Sequence, residues 1–132
     1  MSDPGVLLVG EVHGRTALAS QLRELMRELA DASHAEPQCA GFRVLAAEEP
    51  GEFVLIASWS TEEAMREHYD SPHYRNYREQ VGPLLARPSD VVVYHVSGTV
   101  HTRDPIRQIP ASWAEANLAC FPCFAASRST SA

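Results

Sequence analysis

Between residues 59 and 78 the chain gathers side chains that can move a proton and hold an aromatic ring: Trp59, His68, Tyr69, His73, Tyr74, Tyr77 and Arg78. Imidazole titrates near neutral pH, so His68 and His73 are the candidate bases. Helical spacing puts His68 on the same face as Ala64, four residues earlier. His73 stands one position after Pro72, and a helix N-terminus there disfavours the imidazolium and keeps a neutral base. Each histidine also has a structural reading: His68 as packing against a sheet, His73 as fixing a bend between helix segments. Trp59 ends an apolar strand, either as packing or as an indole N–H donor and stacking surface for a ligand. These three are the catalytic candidates.

The spacing of Tyr74, Tyr77, Arg78 and Val81 is i, i+3, i+4, i+7. That is a core stripe, or a set of ligand-binding groups, because buried phenols need hydrogen-bond partners that a hydroxylated substrate would supply. Tyr69, Tyr74, Tyr77 and Arg78 are accordingly the substrate-binding candidates, with Arg43 as a fifth. Arg43 lies between Phe42 and Val44 and points opposite to them, toward an anionic ligand or into solvent at an edge.

Metal chemistry is not expected. His68 and His73 are five apart across a helix break, and no HxxxH or HExxH occurs. His13, His34, His95 and His101 are scattered, although His13 and His95 could meet on neighbouring strands. Cys39, Cys120 and Cys123 make no disulfide framework, and the lone CxxC at Cys120–Cys123 lacks the further ligands zinc needs. There is no Gly-rich phosphate loop, so no cofactor is expected. All 11 basic residues are Arg, which excludes lysine Schiff-base chemistry.

The elements that must position these residues follow from periodicity. Residues 5–13 read as a strand. From Thr16 to His34, Leu18, Leu22, Leu25, Met26 and Leu29 recur with helical period, and Glu36-Pro37 ends the helix. Residues 42–47 and 53–59 form a hairpin around EEPGE. Ser60-Thr61-Glu62-Glu63 reads as a capping box that opens a helix to Tyr69, Ser71-Pro72 restarts it to Leu85, and residues 91–100 form the last strand. The order β-α-β-β-α-β predicts an α+β, ferredoxin-like fold with an antiparallel sheet.

VLLV, FVLIA and VVVY are apolar on both faces, whereas a sheet with one wet face should alternate. Helices cover one face only. A second copy of the chain is the simplest cover for the other, so a homodimer packed sheet against sheet is expected. The chain of 132 residues suits one such domain at 1–103, followed by an extension at 104–132 that packs on the domain or the dimer partner. A net charge of −6 argues against nucleic acid and anionic membranes as partners. With no signal-like or membrane-length apolar run, a cytoplasmic location is expected.

The segment FVLIASWSTEEAMREHYDSPHYRNYREQVGPLL resembles the antibiotic biosynthesis monooxygenase-like family of dimeric ferredoxin-like domains. The shared features are the apolar strand ending in Trp59, the Ser-Thr cap, Ala64, His68 and Ser71-Pro72-His73-Tyr74. AEPQCAGFRVL, residues 35–45, is similar to the segment that follows the first helix there. The resemblance spans residues 5–100. It implies small-molecule chemistry, including oxidation of anthrones or quinols by O₂ without metal or flavin. Haem-degrading members carry Asn, Trp and His where this chain has Leu8, His68 and Arg78, so haem is not expected. Some anthrone-oxidising members carry an Asn where this chain has Leu55. The resemblance therefore implies a cofactor-independent monooxygenase acting on an aromatic, polyketide-like substrate. A non-oxidative cyclase or isomerase, or a non-catalytic binding protein, stands as the alternative.

Overall fold

A computed structural model describes residues 5–101. The elements are β1 (Val6–His13), a 3-10 turn (Thr16–Leu18), α1 (Ala19–His34), β2 (Cys39–Ala46), β3 (Glu52–Trp59), α2 (Glu62–Tyr69), α3 (Pro72–Val81), a second 3-10 turn (Gly82–Leu84) and β4 (Asp90–His95). The four strands form one antiparallel sheet in the order β2-β3-β1-β4. This is the expected ferredoxin-like arrangement, with the second helix broken into α2 and α3. The extension at 104–132, with Cys120 and Cys123, lies outside the described residues.

Strand parity divides the sheet into two faces. Val6, Leu8 and Val12 of β1 and Phe53, Leu55, Ala57 and Trp59 of β3 are buried toward the helices. They meet Leu22, Leu25, Met26 and Leu29 of α1, the buried face of an amphipathic helix. The opposite face carries Leu7 and Val9, with Val54 and Ile56 paired across β3 and Val92 and Tyr94 across β4. Val92 and Tyr94 remain half exposed, at 50% and 51%. Among the described residues, this face is the apolar, uncovered one the strand compositions anticipated.

Three local details differ from the sequence expectation. The capping group of α2 is Thr61, whose Oγ1 accepts the Ala64 N–H at 3.0 Å; Ser60 instead donates its backbone N–H to the Gln38 carbonyl. The last strand is shorter than 91–100, because its partner β1 begins at Val6 and the ladder stops at the Val6–His95 pair, with one further bond from Val96 N–H to Gly5 O. β2 begins earlier, at Cys39, which pairs with Trp59 across a bulge. In the β2–β3 turn, Gly51 adopts φ +88°, a conformation that side-chain-bearing residues rarely take.

Candidate active site

The helix-facing side of the sheet and the three helices border a partly open cavity of about 160 Å³. Leu8, Val12 and Leu55 form its sheet wall, and Leu29 and Val81 close it from the helices. Its polar fittings are His68, Tyr69, Tyr74 and Tyr77, with the Trp59 ring beside them. The capped start of α2 and the Ser71-Pro72 restart of α3 aim these side chains. Ser71 Oγ accepts the Tyr74 N–H at 3.2 Å and donates to the His68 carbonyl at 2.5 Å, so one hydroxyl ties the helix end carrying His68 to the helix start carrying the tyrosines.

His68 is 3% exposed and stacks among rings, with its centroid 4.8 Å from Trp59 and 5.3 Å from Tyr74. Its Nδ1 lies 2.8 Å from Glu36 Oε2. A carboxylate only accepts, so Nδ1–H is the donor and the other ring nitrogen, Nε2, carries the lone pair. Nε2 makes no hydrogen bond with any described residue, and the ring lines the cavity. Burial lowers the His68 pKa below 6.5, and its hydrogen bond and charge contact with Glu36 oppose this without overcoming it. His68 is thus neutral at neutral pH, and its ring lines the cavity.

Glu36 is the residue that sequence reasoning missed. It lies in the turn between α1 and β2, and its side chain is 15% exposed. Trp59 Nε1–H donates to Oε1 at 2.8 Å, while His68 and His73 both donate to Oε2, the latter from Nε2 at 2.5 Å. Burial favours the protonated acid, but the donors from His68, Trp59 and His73 together outweigh it and hold the Glu36 pKa below 4.5. Glu36 is thus a carboxylate anchoring both histidines. No signal in the sequence pointed to it: the strand register that pairs Cys39 with Trp59, and so brings an acid three residues upstream near that tryptophan, appears only in the fold.

These contacts assign each sequence candidate a place. Trp59 is fully buried and lines the cavity with its ring, but its N–H is committed to Glu36, not free for a ligand. His73 meets Glu36 and lies 5.7 Å from His68, outside the cavity wall. Tyr69, Tyr74 and Tyr77 line the cavity, and none of their hydroxyls hydrogen-bonds another described residue. Burial, reinforced by Tyr74, raises the Tyr77 pKa to about 12, and the Tyr69 pKa also rises, from burial first and Tyr74 second. Both phenols therefore stay protonated and can donate.

The two arginines are elsewhere. Arg78 is exposed, because it falls at the edge of the Tyr74–Tyr77–Val81 stripe and an unpaired guanidinium is costly to bury. Arg43 pairs with Ile56 on the uncovered face of the sheet, away from the cavity. Neither lines it.

The Glu36, His68 and His73 ligand atoms lie within 4.8 Å of one another. Two imidazoles and a carboxylate are a donor set that non-haem iron uses. No sequence spacing shows it, since Glu36 comes from a different turn. In this structure both Glu36 oxygens accept hydrogen bonds and each histidine spends a nitrogen on them, a saturated hub in which every donor has its acceptor.

An apolar cavity between a ferredoxin-like sheet and its helices, fitted with one neutral histidine and several phenols, defines a small-molecule site. The sequence profile of the antibiotic biosynthesis monooxygenase family matches residues 6–80, and the chain belongs to that family. Rv0793 of Mycobacterium tuberculosis, provisionally named a monooxygenase, is 37% identical over 93 residues, covering 70% of this chain and 91% of that protein. Its solved structure gives a TM-score of 0.68 at 33% identity, over 73% of this chain and 98% of that one. PA3566 of Pseudomonas aeruginosa shares the fold, with a TM-score of 0.66 at 20% identity over 74% and 98% of the two chains.

Proposed function

We propose that the protein is a cofactor-independent monooxygenase that oxidises a small hydroxylated aromatic, a quinol in the first place, with O₂. The observation that carries this reading is His68: a buried, neutral imidazole, held through Nδ1 by Glu36, whose ring lines the cavity. Family membership and the name of its Mycobacterium relative support the reaction class.

The chemistry asks three things of the protein: a base, donors for the anion, and a dry site. His68 Nε2 takes the phenolic proton. Glu36 stabilises the imidazolium that forms. Tyr69, Tyr74 or Tyr77 donates to the substrate oxygens. The resulting electron-rich anion reduces O₂ itself. One oxygen atom enters the ring, the other leaves as water, and a hydroquinone becomes a hydroxyquinone with all the electrons drawn from the substrate. An apolar cavity of roughly 150 Å³ accommodates one benzene ring, so about 160 Å³ suits a single-ring quinol better than a three-ring anthrone.

We further propose that two copies pack through the uncovered sheet face, as its row of apolar residues from Leu7 to Tyr94 supports. The reaction is tested by oxygen-electrode assays of chelator-treated protein with hydroquinones and anthrones. Uptake with hydroquinones supports the proposal. Turnover of the same compounds in the absence of O₂ would instead make it a non-oxidative isomerase or cyclase.

A further inference from the structure

On the opposite side of the sheet from the cavity, a second histidine is held in an arrangement the proposed reaction does not use. His13 ends β1 and is 4% exposed. Strand pairing sets Glu52 beside His13 and Asp90 beside Glu11, and parity puts all four on the uncovered face. His13 Nδ1 lies 2.7 Å from Glu52 Oε1. The same nitrogen is 3.3 Å from Arg87 Nη2. It cannot both donate and accept, and the shorter contact to a carboxylate makes Nδ1–H the donor. In the neutral ring, the form a metal would bind, that places the lone pair on Nε2.

Nε2 is buried and has no hydrogen-bond partner. Asp90 Oδ2 stands 3.5 Å from it, within ion-pair range but making no hydrogen bond. A buried nitrogen left so in a native fold calls for an explanation, and an ion is one of the few available. Ligand atoms of Glu11, His13 and Asp90 lie within 4.8 Å of one another. Two ligands of one tetrahedral zinc, each about 2.0–2.1 Å from the metal, stand about 3.4 Å apart. The His13–Asp90 separation is that distance. The Glu52–His13 bond has the form of the carboxylate–histidine pairs that stand behind metal ligands and orient them.

We propose that Glu11, His13 and Asp90 form a binding site for a borderline divalent cation, Zn²⁺ being the probe of choice, with Glu52 as the group that orients His13. One imidazole and two carboxylates leave at least one coordination position to water. All three ligands lie on β1 and β4, so the ion would pin the edge strand to its neighbour at the end of the uncovered face.

The test is calorimetric titration of metal-stripped, full-length protein with Zn²⁺. Two variants separate this site from other donors: Cys120→Ser/Cys123→Ser removes the CxxC thiols, and Glu36→Gln disables the hub behind His68. The proposal predicts one equivalent of Zn²⁺ that survives in both variants and is lost in Glu11→Gln/Asp90→Asn. Because Glu11 and Asp90 are exposed, that double variant retains the fold, which circular dichroism checks. Glu52→Gln should weaken binding by about 10–100-fold. Zn²⁺ should also shift the His13 Nε2 resonance in ¹⁵N spectra of the wild type. Zinc binding that Glu11→Gln/Asp90→Asn leaves unchanged, or no binding by the wild type, overturns the proposal and leaves His13 as a structural partner of Glu52 and Asp90.

Discussion

Two opposing influences meet on His68: burial that drives the proton off and a carboxylate that draws it back. Burial prevails, so the folded pKa lies below 6.5. The neutral base is therefore present at pH 6.5 and above and is lost as pH falls through the folded value. Replacing Glu36 by Gln removes the influence that raises this pKa. The acid limb of a kcat/KM profile should then move to lower pH, while the rate falls because the imidazolium loses its counter-charge. A limb that moves upward or stays fixed would contradict the assigned pairing. The same shift makes a stability prediction. Between 6.5 and the folded pKa the unfolded chain takes up the proton more readily than the folded one, so the protein should lose stability as pH drops through that window. His68→Asn should show a flatter melting temperature over the same range. Among the residues, helical period grouped His68 with Ala64 on one helix and Tyr74 with Tyr77 on the next, and His68 and both tyrosines line the cavity. Glu36 was not legible, because its partners lie 23, 32 and 37 positions away and only the folded hairpin register brings them near.

At the scale of elements, the site depends on how α2 hands over to α3. Ser71 bonds both ends of the break, as acceptor from Tyr74 N–H and donor to His68 O. Ser71→Ala should cost about 1 kcal/mol, the usual value of a lost N-cap. For a domain of this size that is a fall of roughly 4–8 °C in melting temperature. It should also lower activity by releasing His68 relative to the tyrosines; a stability loss with unchanged kcat/KM would show that the junction does not position the site. The succession of strands and helices along the chain and the Ser-Pro restart were legible, since each element has its own period or capping signal. The short β4 and the Thr61 cap were not. The first is set by where β1 begins, and the second by Gln38 occupying Ser60 from another element. Arg43 and Arg78 show the limit of local pattern: their face or exposure depends on strand register and helix angle, which a residue's immediate neighbours do not fix.

For the whole molecule, an apolar sheet face with Val92 and Tyr94 half exposed is a surface water covers poorly. Light scattering should return twice the chain mass at micromolar concentration. Val92→Glu should return the monomer mass with the fold intact, because Val92 is already half exposed in the single chain. A wild-type monomer would contradict the sheet-to-sheet pairing. The cavity lies on the other face, so the monomeric variant separates assembly from chemistry. In the proposed reaction His68 begins an oxidation that needs no cofactor. It is tested most directly by O₂ consumption of chelator-treated protein with a hydroquinone panel, wild type beside His68→Asn. Uptake should be coupled to hydroxyquinone formation and fall by about 10²–10⁴ in the variant, the usual worth of a general base. No uptake across the panel, or equal rates for wild type and His68→Asn, would contradict it.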